Sequence, residues 1–234
     1  MKQFFLFMLT AFFTLASASI SVGSVEKVSG SVKVQSENSI KKRNVSVGLE
    51  IQEGDLITTS KKGSALIKLR DGSSVVLDTS STLHFKSSNS AEQTSGKVFY
   101  KITSRDAQNS LKIKTPFAII GIKGTTFIVN TTANASVILK EGSIGIQSLK
   151  EEFELYRKKV QEEFNNYVSH QQSEFEKYKN AQNKYAVAES TKEFDLEAGN
   201  RVSFISNRVN EDAWSQEDDA EFEHFEKLLK AMKH

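Results

Sequence analysis

The chain contains no cysteine and a single proline among its 234 residues. Without cysteine there is no disulfide framework, zinc ribbon, iron–sulfur site or thiol nucleophile. A charge excess of one sign is also missing. Lys and Arg number 31 and Asp and Glu 29, a formal net charge of +2. A general nucleic-acid binder usually shows a strong basic excess, so no nucleic-acid partner is expected. Glycine is scarce in the second half: of 12, only Gly199 lies beyond residue 149. Long apolar runs are absent after the N-terminus. A bilayer span needs about 20 apolar residues, so no membrane span is expected once the N-terminal segment is removed. Length is not lacking, and a chain of this size can bury a substantial core in one or two domains.

The N-terminus carries an address. Met1-Lys2-Gln3 is followed by an apolar run from Phe4 to Leu15 and then by Ala16-Ser17-Ala18. A short positive region, an apolar stretch of about a dozen residues and a small-x-small site read as a secretory signal peptide over residues 1–18. Cleavage is expected after Ala18, which makes the mature chain exported, in a periplasm. An uncleaved N-terminal anchor is the alternative. No cysteine follows the site, so a lipid anchor is excluded.

Two compositions share the mature chain. Residues 19–149 show short alternating stretches broken by glycine, about ten strands in all. Val25 to Val34 reads as a hairpin-like unit around Gly30. Ala65 to Leu77 reads as another around Asp71-Gly72, which predicts a type I′ turn with positive φ at both central residues. A unit of aliphatic-x-x-Gly recurs at Ile51…Gly54, Leu69…Gly72, Leu139…Gly142 and Leu196…Gly199. Such repetition predicts a mainly β fold, a β-solenoid, a roll or a sandwich of short strands.

Residues 150–192 differ. No Gly or Pro occurs over 150–190, and aromatics recur in an 11-residue pattern. The stripe is Phe153, Tyr156, Val160, Phe164, Tyr167, Phe175 and Tyr178. Eleven residues over three turns keep a stripe on one helix face. This predicts a long helical insertion of about 60 Å, whose stripe either joins protomers in a coiled coil or packs on the chain's own β face. β character returns over 193–209. Residues 212–234 then predict an amphipathic helix, with Ser215 and Asp218 as a capping box. Its apolar face is Trp214, Phe222, Phe225, Leu228, Leu229 and Met232. Charge divides at the same place. Residues 19–149 hold 17 basic and 10 acidic residues, and residues 150–234 hold 13 and 19. The two parts can therefore attract each other, within one molecule or between two.

The β part resembles the FecR domain. Thr115-Pro116-Phe117-Ala118-Ile119-Ile120-Gly121-Ile122-Lys123-Gly124-Thr125-Thr126-Phe127 is similar to that family's central motif of Thr-Pro, an apolar stretch, Arg-Gly-Thr and Phe. Flanking segments also resemble it, in the family's order: Gly54 to Thr59, Leu69 to Ser73, Val137 to Ile146, and Leu196 to Gly199. The resemblance spans about residues 22–148 plus 193–206. It implies an all-β periplasmic domain. In the family's best-known members such a domain senses an outer-membrane receptor and signals through one span to a cytoplasmic sigma factor. Three departures stand out. Only three residues precede the apolar run, so direct sigma-factor contact is not expected. Lys123 replaces the usual Arg. About 44 residues, 150–193, separate two motifs that normally lie close together. The chain looks like the exported, stand-alone type.

No catalytic constellation accompanies these motifs. The four histidines are scattered, and no nucleophile elbow, metal motif or phosphate loop occurs. No enzyme, cofactor or metal site is expected. The candidate contact residues are therefore those of the family motif: Thr115, Pro116, Gly121, Lys123, Gly124, Thr125 and Phe127. Lys123, between two glycines, is either a basic contact or a solvated turn residue. The expected role is a protein-interaction or signalling-type module with an unidentified envelope partner. A polysaccharide- or peptidoglycan-binding module is the alternative, and self-association through 150–190 is a further expectation.

Overall fold

Along much of the chain every second residue is apolar, and these residues meet in one layer between two sheets. The computed structural model describes residues 20–37, 39–103, 110–157 and 189–231. The larger sheet runs β17 (Glu189–Thr191), β16 (Phe153–Arg157), β20 (Arg208–Ala213), β19 (Asn200–Ile205), β14 (Ser136–Glu141), β13 (Thr126–Asn130), β10 (Lys97–Lys101), β7 (Ser74–Leu77), β6 (Ser64–Leu69), β1 (Ser21–Ser29) and β4 (Glu50–Gln52). The smaller sheet runs β18 (Glu193–Glu197), β15 (Ser143–Ser148), β12 (Ala118–Ile122), β11 (Leu111–Lys114), β9 (Ser90–Ser95), β8 (Thr82–Ser87), β5 (Leu56–Thr59), β2 (Val32–Gln35) and β3 (Arg43–Asn44). Both orders follow the sequence almost steadily. The chain visits one sheet, then the other, and advances along a common axis. The result has the facing layers of a sandwich and the sequential advance of a roll. Pairing is antiparallel except at β9–β11 and β16–β20.

The glycine units do a different job from the one expected of them. Seven of the eight glycines with positive φ lie where the chain leaves one sheet for the other; Gly72 is the exception. The unit around Gly30 is therefore not a hairpin, because β1 and β2 belong to different sheets. At Gly142 φ is +87°, and an added Cβ would lie 2.6 Å from the Gly124 carbonyl oxygen. Two sheet-to-sheet corners touch there, and only glycine fits. The hairpin around Gly72 is present, with Ala65 opposite Leu77, but its turn is not type I′. Only Gly72 has positive φ. The Gly72 N–H donates to the Leu69 carbonyl at 3.0 Å and the Leu69 N–H to the Ser73 carbonyl at 2.9 Å, a wider turn with one left-handed residue. Among the described residues, fifteen strands precede residue 149 rather than about ten. The excess comes from strands of two to four residues, too short to show a period.

The expected helix over 150–192 is overturned at both ends. Phe153 and Tyr156 lie in β16, which pairs with β17 through Phe153↔Thr191 and Leu155↔Glu189. Phe153 and Leu155 are buried, a period of two rather than 3.67. The partners that set this register, β17 and β20, are remote in sequence and invisible to a local period. Val160, Phe164, Tyr167, Phe175 and Tyr178, and with them the coiled-coil expectation, lie outside the described residues. β18 and β19 then enter the two sheets beside β15 and β14.

The C-terminal helix α1 spans Gln216–Ala231. It starts later than expected because Arg208–Ala213 form β20. Ser215 caps it: its backbone N–H and hydroxyl both donate to the Asp218 carboxylate, at 2.8 and 2.7 Å. Phe222 and Phe225 pack on the outer face of the larger sheet against Leu66, Val76, Phe99, Ile128 and Ile138, with Trp214, Leu228 and Leu229 at the margin. Met232 lies outside the described residues. Strands under α1 are thus buried on both faces, which explains apolar runs such as Val75-Val76-Leu77 and Phe127-Ile128-Val129. Ion pairs join the same surfaces: Arg201–Asp218 at 2.9 Å, Lys97–Glu221 at 2.8 Å and Lys140–Glu226 at 2.5 Å. Basic strands and an acidic helix attract each other here within one molecule.

Two predictions follow from the helix contact. Phe225→Ala removes a fully buried ring and should cost about 3–5 kcal/mol. Trp214, the chain's single tryptophan, stacks on Phe222 at 5.0 Å, so its fluorescence should report the loss in a denaturant titration. The second concerns pH. The hydrogen bond from Lys140 holds the Glu226 carboxyl below the ordinary glutamate range. A depressed folded-state value stabilises fully above the unfolded value, and the gain is lost as pH falls through the folded one. Helix docking should weaken on acidification through and below that range, modestly because the pair is partly exposed. Lys140→Gln should flatten that part of the Trp214 titration.

Candidate functional site

The central motif divides between structural and exposed roles. Thr115 is buried and closes the turn between β11 and β12: its hydroxyl accepts from the Ala118 N–H at 2.9 Å, and its own N–H donates to the Ala118 carbonyl at 2.8 Å. Pro116 is exposed at the tip. The next residue, Phe117, stacks on Phe204 of β19 at 4.3 Å and ties this turn to the larger sheet. Phe127 is buried and stacks on Tyr100 at 4.9 Å. Tyr100 donates in turn to Gln93 at 3.0 Å, and burial pushes its phenol well up. Gly124 turns the corner from β12 to β13 with φ +134°. Thr125 is buried beside it, its hydroxyl unpaired among the described residues. Lys123 is exposed at the corner. Of the seven motif residues, Gly121 alone sits within a strand on an open face.

That face is the outer surface of the smaller sheet, which no described element covers. Register places Ser90, Lys112, Gly121, Gly145 and Asp195 in one row across five strands. The next row reads Glu92, Lys114, Ile119, Gln147 and Glu193. Lys114 and Lys86 both reach Glu92, at 3.5 and 3.8 Å. Over the two glycines lies a shallow groove of about 570 Å³, walled by Lys112, Ile119, Gln147, Glu193 and Asp195.

Neither glycine is required by the fold. Both have ordinary φ. A Cβ on Gly121 would find its nearest neighbour at 3.8 Å, and one on Gly145 at 3.5 Å, ordinary contact distances. A mid-strand glycine weakens a sheet by about 0.5–1 kcal/mol, and it often marks close approach by a ligand or another backbone. Two such residues side by side leave a bare strip of backbone between a lysine and an aspartate. This strip can admit an extended chain or a flat ring. It holds no nucleophile beside a base, and among the described residues no group of three His, Asp or Glu is placed to hold a metal.

Sequence reading singled out Gly121 but missed Gly145, Lys112 and Asp195. Gly145 lies in the Val137–Ile146 pair, and its mid-strand position was the available signal. Lys112 and Asp195 carry none without the register.

Comparisons with known proteins follow the same segment. Residues 55–145 match the family model described as FecR protein. Two crystal structures titled "putative anti-sigma factor", both from Parabacteroides distasonis ATCC 8503, align with TM-scores of 0.47 and 0.46 at 11% identity. They cover 71% and 70% of this chain, which spans 63% and 62% of theirs, less than two thirds of their length. A structure titled "Cell surface anchoring domain" aligns over 28% of this chain and 86% of its own, at 33% identity and a TM-score of 0.27. No curated protein sequence matches.

Gly121→Val with Gly145→Val should leave the folding stability unchanged or raise it, by up to about 1 kcal/mol per site. Gly142→Val should lower stability by about 1–3 kcal/mol, because φ there is positive and the space is filled. Thermal melts of the two variants side by side check the contrast.

Proposed function

We propose, on the premise that residues 55–145 form a FecR domain, that this protein is an exported, non-enzymatic interaction module of signalling type. It acts in the periplasm after cleavage at Ala18, and a partner protein of the cell envelope docks on the open face of the smaller sheet. The observation that carries this reading is the pair Gly121 and Gly145, which the fold does not need and which lies on an uncovered face. The basic excess of residues 19–149 is a weaker guide. Lys97 and Lys140 are committed to the helix, and Lys86 and Lys114 flank Glu92. The open face therefore presents mixed charge, which suits a specific protein contact better than a polyanion.

Tagged protein recovered from the periplasmic fraction should retain one partner from envelope extracts. The Gly121→Val, Gly145→Val variant, folded by thermal melt, should lose it. A partner that binds both proteins equally, or none recovered by either, counts against the groove. Salt-sensitive co-sedimentation with sacculi, abolished in the same variant, would assign the groove to glycan instead.

A further inference from the structure

The groove over Gly121 and Gly145 has two different ends. Its floor runs across the strands, from Lys112 on β11 over the two glycines to Asp195 on β18. Ile119 and Gln147 stand one row away and form a side wall. The β18 end is strongly acidic. Glu193, Asp195 and Glu197 alternate along the exposed face of that strand. None of the three side chains is ion-paired among the described residues. Arg157 touches Asp195 through the main-chain carbonyl, at 3.3 Å, and its own charge is met by Glu211 at 2.8 Å. The Asp195 carboxylate reaches over the floor: its Oδ1 lies 3.5 Å from where a Cβ on Gly145 would be. The opposite end presents Lys112, since Lys114 in the next row is paired with Glu92 at 3.5 Å.

Neighbouring strands lie about 4.8 Å apart, so the floor from Gly121 to Asp195 is about 10 Å long. Its occupant must be flat over bare backbone, apolar beside Ile119 and cationic at β18. An aromatic ring would cover the floor and leave the carboxylates unpaired. A lysine ammonium is a compact, strongly hydrated point charge that gains little from a flat floor. A guanidinium is planar, weakly hydrated and carries a fork of donors matched to a carboxylate. We propose that the groove takes an arginine side chain of the partner protein. Its methylenes lie over Gly121 beside Ile119, and its guanidinium lies over Gly145 against Asp195, with Glu193 adding negative charge at the same end. Lys112 repels a cation at the other end and so sets the direction in which the side chain lies. This inference rests on the open face being the docking surface, and adds the chemistry recognised there.

Amide spectra of the isotope-labelled mature full chain test this without the partner in hand. The Gly121 and Gly145 peaks are assigned by their loss in Gly121→Ala and Gly145→Ala. The probe is the blocked tripeptide glycyl-arginyl-glycine, compared with the same peptide carrying citrulline, lysine or glutamate in place of arginine. Citrulline keeps the shape of arginine without its charge. The arginine peptide should move both glycine peaks saturably, and the other three should bind at least about fivefold more weakly. Asp195→Asn should weaken the arginine peptide about tenfold. Lys112→Gln, which removes a repelling charge, should tighten it about twofold. Unchanged Trp214 emission confirms that each variant has folded. Equal binding of the citrulline peptide, preference for the glutamate peptide, indifference to Asp195→Asn or no movement of the two peaks overturns the proposal. An envelope partner retained by the wild type and lost by Gly121→Val, Gly145→Val would then show that the groove docks a protein through other chemistry.

Discussion

Phe99 lies between two rings of the C-terminal helix, edge-on to Phe222 at 6.0 Å and stacked on Phe225 at 5.5 Å. The rest of the arrangement depends on this contact. It covers the outer face of the larger sheet, lets Leu66, Val76, Ile128 and Ile138 be apolar there, and turns five strands into ones buried on both sides. It also decides which surface remains uncovered among the described residues. With one outer face closed, the outer face of the smaller sheet is the broad surface on which recognition can occur.

The remaining architecture is set by corners. Strands are short, two to nine residues, and seven of the sheet changes among the described residues turn on a single left-handed glycine. Those corners fix the register that lines up Lys112, Gly121, Gly145 and Asp195, residues that the sequence separates by as much as 83 positions. The groove is thus a by-product of topology refined by composition. The corners put two strands side by side, and the two glycines keep the space between them bare.

Charge division is met within the molecule. Close to the helix, Arg201, Lys97 and Lys140 meet Asp218, Glu221 and Glu226, and the attraction is used up within the molecule. At the end of the sheets formed by the C-terminal part, Arg157 of β16 pairs with Glu211 of β20 at 2.8 Å and donates to the Asp195 carbonyl of β18 at 3.3 Å. The interior, by contrast, is held by apolar packing and a small polar link, Tyr100 to Gln93 and Gln93 to the Val129 carbonyl, which satisfies a buried amide between the sheets.

Local pattern was enough to determine the mainly β class, the left-handed glycines of the four aliphatic-x-x-Gly units, the hairpin at Gly72, and the capped, apolar-faced C-terminal helix. Each rests on periods and dihedral needs that neighbours a few residues apart already express. The FecR resemblance was legible for the same reason, in short motifs kept in order. Tertiary structure decided the rest. A glycine corner and a glycine hairpin read alike, because both need one positive φ, and only the partner strands reveal that Gly30 changes sheets while Gly72 does not. Phe153 and Tyr156 fit a helical stripe until β17 and β20 pair with their strand. Gly121 looked like a turn beside Lys123 until Gly145 was set against it. Long-range pairing is a property of two segments at once, and no window on one of them contains it.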